Sequence, residues 1–214
     1  MEIFPNRIDD LLFEIKYQHI SMEYELQLPK RETLLQLKKI ENILSSMKWP
    51  SYKIGEKTHN SRTNILKGGQ SESNKGKEIS AFVLGKVRQY NKCELVNSRH
   101  TIKFKDLFQE LKTLIKLHNP NFKFTSIQLN NGTMTSWHYD KNNRGKSYCI
   151  GCGNYKGGGI DLRVDNKIVH IDNKNKFFHY NGNTIEHRTS PKVSGTRYAI
   201  IFYTRRQDRK IKKP

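Results

Sequence analysis

Three residues in this chain have the types and spacing to hold one metal ion. His138 and Asp140 stand two apart in His138-Tyr139-Asp140. On an extended segment, side chains at i and i+2 point to the same side. An imidazole and a carboxylate can therefore reach one ion from one short stretch. Such a pair alone carries little weight, because it is common at surface turns. A second stretch adds weight: His187-Arg188-Thr189-Ser190-Pro191-Lys192-Val193-Ser194-Gly195-Thr196-Arg197-Tyr198-Ala199-Ile200-Ile201-Phe202. Here a histidine closes one strand, a Pro/Gly turn follows, and an arginine opens an apolar strand. Two imidazoles and one carboxylate on one face, with the opposite face open, suit non-haem Fe(II). Arg197 heads a run that should be buried, so its charge needs an anionic partner. A dicarboxylate co-substrate would supply one, because a guanidinium binds a carboxylate through two parallel hydrogen bonds.

Other residues compete for these roles. His170 and His179 are alternatives for the third ligand position, but neither is followed by a glycine turn and an arginine-led strand. Packing or surface positions account for them more simply. Cys149-Ile150-Gly151-Cys152 is a Cys-x-x-Cys without a second pair. In a strand i and i+3 face opposite sides, so its thiols should diverge into core packing.

The elements that must position these groups follow from periodicity. Residues 30–48 carry an apolar stripe at helical spacing that stops at Trp49-Pro50, and residues 104–117 carry a second. Residues 7–19 read as a weaker helix. Residues 51–78 lack apolar periodicity and read as a long basic loop, either a phosphate-binding segment or a solvated charge run. Ile79 to Arg88 reads as a strand. Strand-like runs then alternate with Gly/Asn turns over 122–130, 133–139, 146–152, 159–164, 167–172, 176–181, 184–188 and 196–204. Many short strands at close spacing imply an α+β chain built on a sandwich or jelly-roll. The expected division is a helical N-terminal extension and basic loop over 1–78, a core over 79–204 and a basic tail over 205–214.

The net charge of +19, from 39 Lys/Arg against 20 Asp/Glu, suits a polyanionic partner. A compositional bias toward Lys, Asn and Ile would also produce it. Three cysteines do not make a disulfide framework and fit a reducing compartment. No apolar run approaches a membrane span and no secretory leader is evident. The expectation is a monomeric intracellular protein, nuclear or cytoplasmic.

The order His-x-Asp, then about fifty residues, then His, then Arg ten later, resembles the 2-oxoglutarate/Fe(II) dioxygenases. Three motifs in between are similar to the TET/JBP branch, which oxidises the methyl group of 5-methylcytosine or thymine in DNA. They are Asn130-Asn131-Gly132, His138-Tyr139-Asp140-Lys141-Asn142-Asn143-Arg144-Gly145-Lys146-Ser147, and Gly153-Asn154-Tyr155-Lys156-Gly157-Gly158. The resemblance covers roughly residues 80–204. It implies a double-stranded β-helix with supporting helices, Fe(II) on His138, Asp140 and His187, and 2-oxoglutarate on Arg197. It also makes Asn143 a candidate contact to the substrate base, although a turn-forming asparagine would look the same. Asn130 and Tyr148 are candidates to hydrogen-bond the co-substrate. Tyr155 and the glycines after it read as a hairpin at the pocket mouth, or simply a tight turn. One departure stands out: Ala199, two residues past Arg197, occupies a position where the family often has a hydroxyl. Hydroxylation of protein side chains or of RNA is the alternative substrate class.

Overall fold

The computed structural model describes residues 23–50, 52–54, 57–59, 80–88 and 94–207. The expected helix at 7–19 lies outside them, as do most of the 51–78 loop and of the basic tail. Within that loop, strands β2 (Tyr52–Ile54) and β3 (Lys57–His59) pair as a short antiparallel hairpin, so the stretch is not loop throughout.

The expected helices are α1 (Arg31–Ser46) and α3 (Lys105–His118), and a short α2 (Arg99–Lys103) precedes the latter. In α1 the buried positions are Thr33, Leu37, Ile40 and Leu44; in α3 they are Leu107, Leu111, Leu114 and Ile115. Three- and four-residue steps put each set on one face. Burying each large aliphatic side chain contributes about 1.5–3 kcal/mol. Gln36 joins the helices by donating to the Glu110 backbone carbonyl at 3.0 Å and side chain at 2.7 Å.

Both faces lie on one side of a seven-stranded sheet. It contains β1 (Tyr24–Gln27), β11 (Phe177–Tyr180), β7 (Ser147–Cys152), β14 (Tyr198–Tyr203), β6 (Ser126–Asn131), β4 (Ser80–Arg88) and β5 (Leu95–Asn97), in that spatial order. Every pairing between named strands among the described residues is antiparallel. Phe82, Leu84, Ile127, Leu129, Ile150, Ile200 and Phe202 meet Leu37, Ile40, Leu111 and Leu114 in one core. The N-terminal segment therefore supplies both an edge strand and a core helix.

The other side of the sheet packs on β9 (Ile160–Val164), β10 (Lys167–Ile171) and β12 (Glu186–Thr189), which form a three-stranded sheet with β9 central. Cys149, Phe178 and Tyr180 from the large sheet meet Ile160, Leu162 and Val169 from the small one in a second core. A further pair, β8 (Lys156–Gly157) with β13 (Lys192–Ser194), completes the β structure of the described residues. The result is a two-sheet sandwich backed by helices. No helix among the described residues is long and apolar enough to cross a membrane.

One expected strand, 133–139, does not form. The segment crosses between the sheets as a loop, tied to β12 by an isolated bridge between His138 and His187 and by hydrogen bonds from Thr189 N to Thr135 O at 3.2 Å and Oγ1 at 3.0 Å.

Candidate metal centre

That bridge brings the site together. His138 N donates to His187 O, and His187 N to His138 O, each at 3.0 Å. Asp140 N then donates to Gly182 O at 2.6 Å. His138 and Asp140 thus share a side as expected, although they sit on a loop fixed by three hydrogen bonds rather than on a continuous strand. One ligand atom from each of His138, Asp140 and His187 lies within 4.8 Å of the others. The two Nε2 atoms stand 3.8 Å from the Asp140 oxygens, His138 facing Oδ1 and His187 facing Oδ2.

The imidazoles are held in one tautomer. His138 Nδ1 lies 2.7 Å from Ser136 O, and His187 Nδ1 lies 2.9 Å from Ile185 O. A carbonyl only accepts, so each Nδ1 carries the proton and each Nε2 keeps a free lone pair toward its neighbours. Burial lowers the pKa of His187, which Asp140 partly offsets, and this favours the neutral form that binds metal. Tyr180 packs edge-on to His187 at 5.1 Å between ring centres. Burial, then Asp140, pushes its phenol well above the usual range, so it stays protonated.

Gly182 makes room for this arrangement. A Cβ there would come within 2.9 Å of Asp140 Oδ2 and 3.1 Å of His187 Cε1. Nothing in the local sequence announces that contact, because it joins a turn to two distant segments.

The three groups open onto a cavity of about 470 Å³, also lined by Gln128, Asn130, Asn143, Cys149, Arg197 and Ala199. This is an ordinary size for a small-molecule site. Arg197 is 6% exposed. Its Nη2 donates to Gly159 O at 3.3 Å, its Nε has no partner, and no carboxylate among the described residues pairs with it. A buried guanidinium left this way needs an anion. The residues thus fit both groups: a two-histidine, one-carboxylate donor set suits Fe(II), and the unpaired arginine suits 2-oxoglutarate.

Asn130 lines the cavity, and its Oδ1 accepts from Gln128 Nε2 at 2.9 Å. Asn143 also lines it, and its Nδ2 donates to Asp140 Oδ2 at 3.1 Å. Tyr148 is not brought to the site. It sits in the helix-side core, accepts from Asn119 Nδ2 at 3.1 Å and stacks on His179 at 4.1 Å. Its neighbour Cys149 has the cavity-facing position, so the expected co-substrate contact was assigned to the wrong face of β7.

The competing residues lie elsewhere. His179 is on the helix side with Tyr148, and burial lowers its pKa to about 4. His170 pairs with Asp161 at 2.9 Å, away from the metal ligands. Cys149 and Cys152 fall in different cores, and burial raises their thiols to about 11 and about 12.

The described residues thus form an antiparallel sandwich in which two histidines and a carboxylate stand beside a buried arginine with no carboxylate partner. No protein-family profile and no curated protein matches the sequence. Solved structures do match in shape. NgTET1 in complex with 5mC DNA superposes with a TM-score of 0.53 at 12% identity, covering 86% of this chain and 72% of that one. An oxidoreductase of the 2OG-Fe(II) oxygenase family from Burkholderia pseudomallei gives 0.47 at 12%, covering 87% of each. A prolyl hydroxylase from Trichoplax adhaerens, solved with a hypoxia inducible factor peptide, gives 0.47 at 14%, covering 86% and 84%. The likeness to NgTET1 shows a shared fold. A shared fold does not carry a substrate with it.

Proposed function

We propose that this chain is an Fe(II)- and 2-oxoglutarate-dependent dioxygenase, built on a double-stranded β-helix, that oxidises a methylated base, 5-methylcytosine or thymine, in DNA. One observation carries the oxygenase reading. His138, Asp140 and His187 converge on a cavity that also holds the buried, carboxylate-free Arg197.

In this reading His138, Asp140 and His187 hold the iron, which when bound supplies O2 activation coupled to decarboxylation of 2-oxoglutarate. The protein supplies orientation and exclusion of water. The Ser136 and Ile185 carbonyls aim the two imidazoles, and the Asn143 amide steadies Asp140. Arg197 binds the distal carboxylate of the co-substrate. Asn130, with Gln128 beside it, offers polar atoms on the β6 wall of the same cavity. Ile160 and Ile201 close part of the lining with apolar surface.

Charge and shape support the substrate reading. The net charge of +19 favours a polyanion. Lys141 and Arg205 line the cavity and form no ion pair with a described carboxylate. Cations at the rim suit the phosphates flanking a base that has left the stack. The structure of NgTET1 that shares this fold holds 5mC DNA.

The test is to incubate the full chain anaerobically with Fe(II), 2-oxoglutarate and a methylated oligonucleotide, then admit air and measure product masses and succinate. A base heavier by one oxygen, formed with succinate, supports the reading. Succinate formed only with a peptide or an RNA oligonucleotide would end the DNA assignment and keep the oxygenase.

A further inference from the structure

Five buried side-chain polar atoms among the described residues have no hydrogen-bond partner: Thr33 Oγ1, Ser147 Oγ, Tyr155 OH, Asn173 Oδ1 and Arg197 Nε. Buried polar groups are nearly always paired, so such atoms call for an explanation. Two of them are donors that stand side by side. The Arg197 guanidinium carbon lies 5.7 Å from the centre of the Tyr155 ring. Tyr155 is 1% exposed, and burial, partly offset by the neighbouring Arg197 guanidinium, raises its phenol to about 12, so the hydroxyl keeps its proton and is free to donate. Asn173 Oδ1 is an acceptor and would not serve an anion.

The place of the Tyr155 hydroxyl is set by Gly151. A Cβ built there would come within 2.4 Å of Tyr155 OH. The space that any other residue on β7 would fill therefore holds the phenol oxygen. Gly151 is paired with Ala199 across the sheet, and Ala199 lines the cavity with Cys149 and Arg197. The hydroxyl thus stands next to the position where a side-chain oxygen on residue 199 would sit. Ala199 has none, and Tyr148 faces the helices. Lys174 fixes the tyrosine from behind: its Nζ donates to Tyr155 O at 2.7 Å and lies 4.9 Å from the ring centre.

We propose that Tyr155 is the second anchor of the distal carboxylate of 2-oxoglutarate, its hydroxyl donating to the group that Arg197 binds. This rests on the oxygenase reading above. Tyr155 comes from the loop between β7 and β8 and folds back over its own strand, where its hydroxyl lies against Gly151 and its ring beside Arg197, behind the residues that line the cavity. It takes the place of the hydroxyl missing two residues after the arginine.

The test is anaerobic titration calorimetry of the Fe(II)-loaded full chain with 2-oxoglutarate and with 2-oxobutyrate, which lacks the distal carboxylate. Tyr155→Phe removes one hydrogen bond to a charged group, so 2-oxoglutarate affinity should fall roughly ten- to hundredfold. Affinity for 2-oxobutyrate and for Fe(II) should stay at the wild-type value. Adding Ala199→Ser to Tyr155→Phe should recover part of the loss. Gly151→Ala, which keeps the hydroxyl but crowds it, should give the same ligand-selective loss should Tyr155→Phe fail to fold. Equal 2-oxoglutarate binding by wild type and Tyr155→Phe would overturn the proposal, as would equal weakening of both ligands. A wild-type protein that binds Fe(II) but not 2-oxoglutarate would remove the oxygenase reading, and this inference with it.

Discussion

Replacing Asn143 by Ala separates two roles for a residue that lines the cavity next to the metal ligands. Its Nδ2 donates to Asp140 Oδ2 at 3.1 Å. Its backbone N–H donates to Asp140 O at 2.9 Å, and a bridge ties it to Arg205; both survive in the alanine variant. The substitution therefore removes one side-chain hydrogen bond to a carboxylate and leaves the turn in place. Hydrogen bonds to charged groups are worth about 1.5–3 kcal/mol. The Asp140 side chain is 28% exposed, so water can partly replace the amide. The expected loss is then about 1–2 kcal/mol, or roughly five- to thirtyfold in metal affinity. Titrating the apoprotein with Mn(II) and following the free-ion electron paramagnetic resonance signal measures it. Unchanged Mn(II) affinity together with lost base oxidation would refute this reasoning and give the amide to the substrate instead.

Four further outcomes follow from the same geometry. His138→Ala, Asp140→Ala and His187→Ala should each lose stoichiometric iron, whereas His179→Ala should retain it; metal analysis after desalting decides. Arg197→Lys keeps charge but loses the planar fork, so 2-oxoglutarate binding should weaken by about 1.5–3 kcal/mol in an anaerobic titration. Lys141→Gln and Arg205→Gln should each reduce the slope of log DNA affinity against log salt by about 0.9 for a phosphate no longer neutralised, measured by fluorescence anisotropy. His179, whose pKa burial lowers from 6.5 to about 4, binds a proton more readily unfolded than folded. Stability is thus fully present above about 6.5 and lost as pH falls toward about 4; His179→Phe should flatten that decline in urea melts.

The clustering of His138, Asp140 and His187 was legible because few residue types bind iron and their order survives any loop length between them. The helices were legible because α1 and α3 each bury one face and expose the other. Strand β7 was harder to read. All six residues of Ser147–Cys152 are buried, with a core on each side. A strand covered on both faces loses the polar alternation that would show which side faces the site. Pattern alone does not tell Tyr148 from Cys149 as the residue that faces the cavity. The 133–139 stretch has strand-forming residues, but Gly132 and the pairing of His138 with His187 leave it a crossing loop. Strands β1, β5, β8 and β13 are two to four residues long and too short for periodicity to show. Gly182, Gly151 and Tyr155 matter only through contacts between distant segments, which no local pattern encodes.

The large sheet ties the catalytic arrangement to the core through strand register. On β14, Tyr198, Ile200 and Phe202 face the helices, whereas Ala199, Ile201 and Tyr203 line the cavity with Arg197 just ahead of the strand. On β7, Tyr148, Ile150 and Cys152 face the helices and Cys149 faces the cavity. A slip of one residue in either strand would exchange the two sets, placing Arg197 against the leucines of α1 and α3 and removing Phe202 from the core. Packing of the helix side therefore also holds Arg197 in register with His138, Asp140 and His187. The loop from Gly132 to Lys146 is under no such constraint. It carries His138 and Asp140 on hydrogen bonds to β12 and the Gly182 turn, and its Thr133, Thr135, Tyr139, Lys141, Asn142 and Asn143 also line the cavity. Changes among Tyr139, Lys141 and Asn142 can therefore reshape the cavity lining without disturbing either core.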